Sequence, residues 1–326
     1  MPAAFDLHLA GGFSRDAIVN HNGEFETDRI GGNALFAAMA ARLAGAAPFV
    51  HSVVGRGYPE SALARIAALG VDTTGVRRNP ASPGVRVTFS YAADGSRSQP
   101  AIPEAIATVP ESSRGLFLDT TRDPAVILES LPTAADLPAE NASNGWHLGL
   151  LPIERFRELV GHLRSSAYLQ VDSPARFELA RDNIDVLGDT LADVDVFLPS
   201  TSDTDVFAPA RSRTELLALF HELGAATVVL KCGEDGALLS ERGGAVWHVP
   251  IFADAASSDP TGAGDAFAGA FAATIARGDD LLTAACAGAA AASIGTTVRD
   301  PFGIAEASRS EFDRRRYDIR QRVERL

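Results

Sequence analysis

Asp259-Pro-Thr-Gly-Ala-Gly-Asp-Ala-Phe-Ala-Gly-Ala-Phe271 places a small, glycine-rich turn ahead of an apolar helical pattern and sets a carboxylate, Asp265, at the junction. Gly262, Ala263 and Gly264 carry almost no side-chain bulk, so their backbone N–H groups can close on a ligand. The first N–H groups of a helix lack intrahelical partners and lie at the positive end of its dipole, which makes an anion site. A carboxylate beside an anion site is unfavourable on electrostatics alone. It is explained if Asp265 takes a proton from a hydroxyl that attacks the bound anion, as phosphoryl transfer to an alcohol requires. The competing reading is a plain helix cap, because Thr and Asp both favour that position. A cap, however, does not require Gly-Ala-Gly between its two polar residues.

Composition accommodates this chemistry without choosing it. A chain of 326 residues with 46% hydrophobic content can bury the core of one large α/β domain. A net charge of −13 and a pI near 5.0 argue against nucleic acid or an anionic membrane as partner. The alanine-rich run 281–294 is too short and too weakly apolar for a membrane span. The strand-like run 5–10 follows no basic region with a long apolar core, so no signal peptide is expected. Cys232 and Cys286 lack metal-ligand spacing and read as reduced thiols of a cytoplasmic protein.

Upstream of the glycine-rich turn, short β-type runs alternate with helical ones. Strands are expected at 5–10, 49–54, 115–118, 145–150, 168–172, 194–198 and 227–231, with helices at 34–43 and 61–69. Continuous apolar strands between amphipathic helices predict an α/β fold with a mostly parallel sheet covered on both faces. Segments 15–30 and 85–101 break that rhythm with alternating or turn-rich patterns, and Ala93-Asp-Gly-Ser96 has hairpin-turn chemistry. They predict a small β-sheet lid on a single domain spanning 1–326. The Pro-, Ala- and Asn-rich stretch 130–144 reads as a loop.

The 259–265 segment resembles the second signature of the ribokinase-like (PfkB) carbohydrate kinase family, Asp-Thr-x-Gly-Ala-Gly-Asp, here as Asp-Pro-Thr-Gly-Ala-Gly-Asp. The resemblance implies a three-layer α/β/α kinase that uses ATP and Mg2+. It also implies a transferring phosphoryl group held by the Gly262, Ala263 and Gly264 amides, with Asp265 as catalytic base. It places Thr261 on the nucleotide side, leaves room for a monovalent cation, and suggests a homodimer paired through the lid.

The other family regions appear in order, with departures. Ile30-Gly-Gly-Asn-Ala-Leu-Phe36 occupies the place of Gly-Gly-x-x-x-Asn. Gly31, Gly32 and Asn33 are therefore expected to orient the acceptor, with the Phe36 ring where an amide usually contacts substrate hydroxyls. Asp16, five residues after Gly11, is expected to accept from two neighbouring sugar hydroxyls. Lys231-Cys-Gly-Glu-Asp-Gly236 matches the glycines of a nucleotide loop at Gly233 and Gly236, with Lys231, the chain's single lysine, replacing a threonine. An ammonium there reaches a phosphate as a point charge. Ser200 and Asp203 replace the asparagine and glutamate of Asn-x-x-Glu, so Asp203 is expected to meet Mg2+ through water. Asp172-Ser-Pro-Ala-Arg176 resembles a strand-end Asp-x-x-x-Arg, with Arg176 facing a phosphate or a substrate carboxylate.

The expected activity is ATP-dependent phosphorylation of a hydroxyl on a sugar or sugar-like polyol. Phe36 keeps a nucleoside acceptor open, because a base stacks on a ring. The altered Ser200–Asp203 pair keeps open a regulatory member with weak or lost turnover.

Overall fold

The computed structural model describes residues 6–93, 96–139, 142–182, 184–254 and 259–326. Phe5 of the first expected strand, and Asp94 and Gly95 of the expected hairpin turn, lie outside the described residues.

In chain order the strands are β1 (Asp6–Ala10), β2 (Ser14–Asn20), β3 (Phe25–Gly31), β4 (Phe49–Gly55), β5 (Asp72–Asn79), β6 (Val85–Tyr91) and β7 (Arg97–Ser98). They continue with β8 (Asn144–Leu148), β9 (Tyr168–Asp172), β10 (Val196–Leu198), β11 (Thr227–Lys231), β12 (Ala237–Glu241), β13 (Val246–Val249) and β14 (Glu324–Arg325). The large sheet runs β14-β13-β12-β11-β10-β9-β8-β1-β4-β5. From β11 to β5 every neighbouring pair is parallel, and β12, β13 and β14 extend the edge antiparallel. The central strands read as near-continuous apolar runs because helices cover both faces. Tyr168-Leu-Gln-Val-Asp172 is buried along its whole length.

On one face pack the helices Asn33–Leu43, Ala263–Ala276, Leu281–Gly295 and Arg309–Arg320. On the other lie Ile153–Leu163 and Arg213–Glu222, around a core that includes Phe156, Phe197 and Phe220. The result is three layers with a mostly parallel central sheet. No helix among the described residues is long and apolar enough to cross a membrane.

The alanine-rich composition of the first face brings two ligand-facing turns together. Helices Asn33–Leu43 and Ala263–Ala276 approach so closely that a Cβ on Gly269 would lie 1.9 Å from the Ala37 carbonyl oxygen. Small residues allow this crossing, and the crossing fixes the distance between the turns that open the two helices. Gly269→Ala is therefore expected to destabilise the fold by about 1–3 kcal/mol or more through overpacking, read as a lower thermal midpoint. An unchanged midpoint would show that the helices have slack.

A second sheet, β3-β2-β6-β7, stands apart from the first. It is mixed: β2 pairs antiparallel with β3 and parallel with β6, which pairs antiparallel with β7. Its strands come from the two segments whose patterns break the helix–strand alternation. Phe117, Ala17 and Val19 pack together as a small core behind it.

Segment 115–118 forms no strand, contrary to its apolar pattern. Phe117 is buried, whereas Leu116 and Leu118 are exposed. The chain there crosses the back of the second sheet and is fastened by side chains. Asp119 accepts from the Thr88 N–H and hydroxyl at 2.9 and 3.0 Å, and Thr120 Oγ1 accepts from the Arg86 N–H at 2.9 Å. The loop at 130–144 contains a short 3-10 turn, Ala134–Asp136, closed by a Thr133–Asp136 capping box.

Candidate active site

Because β1, β9, β10 and β11 are parallel, Ala10, Asp172, Leu198 and Lys231 end on one edge of the sheet. That carboxyl edge is where open α/β sheets bind ligands. The helix Ala263–Ala276 begins there: a Cβ on Gly264 would lie 3.6 Å from Lys231 Nζ.

The glycine-rich turn has a left-handed residue at Gly262, with φ of 74°. A Cβ there would meet the Phe36 ring at 2.3 Å, so only glycine fits. The Ala263 N–H donates to the Pro260 carbonyl at 3.1 Å, which tightens the turn. Asp259 accepts from the Thr261 N–H and from the Tyr91 hydroxyl, both at 2.9 Å. Thr261 Oγ1 accepts from Arg97, whose guanidinium also lies over the Phe89 ring. The first half of the motif is thus tied to the second sheet, and Thr261 sits at that contact.

Asp265 is half-buried in the first helical turn. Burial, then the negative charge of Asp172, push its carboxyl up to about 7, against the pull of Lys231. A base titrating there is matched to proton transfer near neutral pH. The same shift has a stability consequence. With the folded value above the ordinary 3.8, the group's favourable contribution is complete below about pH 4 and is lost as pH rises through about 7. Asp265→Asn should therefore gain stability over the native protein progressively between those limits, reaching on the order of 1–4 kcal/mol above neutrality. Denaturant midpoints at pH 4 and pH 8 check this. An equal offset at both would refute it.

Lys231 Nζ lies 2.5 Å from Asp172 Oδ1. Burial works against the ammonium, but Asp172, then Asp265 and Asp203, outweigh it and hold Lys231 above the usual lysine value. Gly233 and Gly236 follow in a tight 3-10 turn closed by the Cys232 N–H on the Gly236 carbonyl at 2.7 Å. Ser200 caps the helix Thr201–Phe207, its hydroxyl donating to Asp203 Oδ2 at 2.5 Å. Arg176 Nη1 lies 3.7 Å from Asp203 Oδ1 and 3.4 Å from the Ser202 carbonyl.

The expected acceptor residues gather on the other side of the turn. Asp16 is buried on β2 and takes the Ser14 hydroxyl at 2.7 Å, with Gly31 closing β3 opposite Ser14. Burial pushes its carboxyl up to about 6. Asp16, Gly31, Phe36, Phe89, Tyr91 and Thr261 line one pocket. Gly32 precedes the helix with φ of 110°. Asn33 is committed to the fold. Its Oδ1 accepts from the Gly12 and Ala34 N–H groups at 2.8 and 2.6 Å, and its Nδ2 donates to the Leu150 carbonyl at 2.9 Å. It therefore shapes the Gly11–Gly12 turn rather than offering a free amide.

Tyr91, Arg97 and Phe89 had no sequence signal, because nothing local says that β6 and β7 reach the 259–265 turn. Asp172 has one: a lone lysine at a strand end calls for a carboxylate, and Asp172 itself ends an apolar strand.

Residues 175–301 match the pfkB family carbohydrate kinase profile. The matched stretch contains the glycine-rich turn and Asp265. A 78-residue stretch is 41% identical to the 2-dehydro-3-deoxygalactonokinase of Haloferax volcanii, which spans 24% of this chain and 24% of that relative. Ribokinase II of Escherichia coli, in complex with ATP and Mg2+, superposes with a TM-score of 0.74 at 18% identity, over 96% of this chain and 99% of that one. The Burkholderia thailandensis nucleoside kinase in complex with inosine gives 0.69 at 17% identity, over 96% of each chain. At these identities the superpositions establish the ribokinase-like fold. Within this fold, the glycine-rich turn lies at the carboxyl edge of the parallel sheet.

Proposed function

We propose that the protein is an ATP-dependent kinase that phosphorylates a hydroxyl of a sugar or sugar-like polyol. The observation that carries this reading is Asp265 in the first turn of a helix, behind Gly262-Ala-Gly264 and beside Lys231, with its carboxyl raised to about 7. Asp265 accepts the acceptor's hydroxyl proton as that oxygen bonds to the γ-phosphorus. The bridging bond to the β-phosphate breaks, and ADP leaves. The Gly262 and Gly264 amides receive the charge on the transferring group, while the Ala263 N–H, held by the Pro260 carbonyl, keeps the turn closed around it. Asp16 accepts from acceptor hydroxyls, and the Gly31–Gly32 turn with Asn33 holds the pocket's shape. Gly233, Gly236, Thr261 and Ser200 border the nucleotide side. The second sheet serves as a lid on one kinase domain spanning 1–326.

When bound, Mg2+ would supply positive charge on the phosphates. Asp203 would meet it through water; no cluster of three or more His, Cys, Asp or Glu side chains that could hold a metal exists among the described residues. That fits an ion held mainly by phosphate and water.

Two details bear on the acceptor. The Haloferax relative's name denotes a 2-dehydro-3-deoxy sugar acid, and Arg29 and Arg299 also line the acceptor pocket, where guanidinium suits a carboxylate. The Phe36 and Phe89 rings in the same pocket favour a nucleoside as second reading. Measuring ATP consumption against neutral sugars, 2-keto-3-deoxy sugar acids, inositols and nucleosides separates these. No turnover with any of them, alongside tight ligand binding, would replace the kinase reading with a regulatory one.

A further inference from the structure

The ion pair Lys231–Asp172 does not stand alone. Tyr168, Gln170 and Asp172 alternate along β9 and so share one face of the sheet. The Tyr168 hydroxyl donates to Gln170 Oε1 at 2.9 Å. The Gln170 amide nitrogen donates to the Ala268 carbonyl at 2.9 Å and faces His147 Nδ1 at 3.1 Å. With Nδ1 thereby an acceptor, the neutral imidazole carries its proton on Nε2. That nitrogen lies 3.7 Å from Asp172 Oδ2. Asp172 Oδ1 in turn holds Lys231 Nζ at 2.5 Å, and Lys231 Nζ faces Gly264. The chain of contacts leaves the helix Ala263–Ala276 at Ala268 and returns to its first turn.

His147 and Asp172 are almost wholly buried, and Lys231 is 14% exposed. Burying an ion pair is generally no more favourable than packing apolar groups in its place. The charged groups facing Lys231 are Asp172, Asp265 and Asp203, with neutral His147 behind Asp172 and Arg176 drawn to Asp203. An untethered ammonium here would settle on Asp265, the base, or Asp203.

We propose that Asp172, with the neutral His147 imidazole packed 3.7 Å behind it and not hydrogen-bonded to it, is a positioning residue that fixes the ammonium of Lys231 under the first turn of the helix Ala263–Ala276, where it meets the phosphoryl group in transfer. This rests on the kinase reading. Asp172 neutralises part of the lysine's charge between turnovers and keeps it away from Asp265. It thereby leaves Asp265 free to accept the hydroxyl proton.

Because Lys231 is the only lysine, protein grown on 13Cε-lysine gives a single side-chain signal that reports its environment directly. Asp172→Asn should lower kcat by about 10- to 100-fold, shift kcat more than the KM for ATP, and move the Lys231 signal while its titration falls to lower pH. His147→Asn should move the signal the same way and lower kcat by a smaller factor. It also serves if Asp172→Asn fails to fold. An unmoved lysine signal in the folded variants, or losses of kcat that merely track lost stability, would overturn the proposal. Asp265→Asn separates the two levels. If the native protein transfers phosphate to none of the acceptors, the kinase reading fails; if Asp265→Asn stays active, only the base assignment fails; if Asp265→Asn is inactive while Asp172→Asn is normal, only the positioning role fails.

Discussion

Asp265→Asn is expected to slow phosphoryl transfer by about a hundredfold to ten-thousandfold, the range typical of a positioned general base, while ATP binding persists. The amide is nearly isosteric but cannot accept the hydroxyl proton. Its neighbours make the effect specific. Lys231 stays paired to Asp172, and Gly262 stays locked by the Phe36 ring, so the glycine-rich loop is unchanged. Single-turnover kinetics with saturating ATP and acceptor read the chemical step. Retention of more than a tenth of the native rate would remove Asp265 from the base role. The predicted gain in stability at neutral pH provides a second readout, since a variant that is inactive yet more stable has lost function and not structure.

Much of this arrangement is visible in the chain because it is local. The strands at 49–54, 168–172 and 227–231 are continuous apolar runs, and their observed bounds, Phe49–Gly55, Tyr168–Asp172 and Thr227–Lys231, follow those runs. The glycine-rich turn is legible for a similar reason: glycine, a small residue and an acid at a helix start are a local requirement. What the pattern withholds is pairing between distant segments. Phe117 reads as part of a strand because periodicity cannot tell a ladder from a segment pinned by Asp119 and Thr120. The parallel match of β2 to β6 lies between segments some 70 residues apart and leaves no trace in either.

The site divides along the same line. Residue types were readable, whereas commitments were not. Asn33 looks like an amide offered to a ligand until Gly12, Ala34 and Leu150 occupy it. Lys231 looks like a free point charge until Asp172 holds it. Arg176 is free to face either side until the fold brings it to Asp203. In each case the deciding partner sits on another element, and only the sheet order brings it near.

Asp16→Ala should raise the acceptor's KM by about 10- to 150-fold for each hydroxyl hydrogen bond lost, because a charged partner contributes about 1.5–3 kcal/mol per bond. The KM for ATP should change far less, since Asp16 lines the pocket with Phe36, Phe89 and Tyr91 that is proposed to take the acceptor. A pH signature distinguishes recognition from a purely structural role. Burial, opposed by the Ser14 hydroxyl and the positive charge of Arg29, raises the Asp16 carboxyl to about 6. Ionised above that value, it accepts from two hydroxyls at once. Protonated below it, the group loses one of those acceptor positions and turns a donor toward the substrate. Acceptor affinity in the native protein should therefore fall as pH drops from about 7 to 5, and Asp16→Asn should weaken binding at pH 7 while abolishing that dependence. If the folded Asp16→Ala protein keeps its acceptor KM and the pH profile is flat in both, Asp16 serves only the turn with Ser14, and the hydroxyls must be read elsewhere in the pocket.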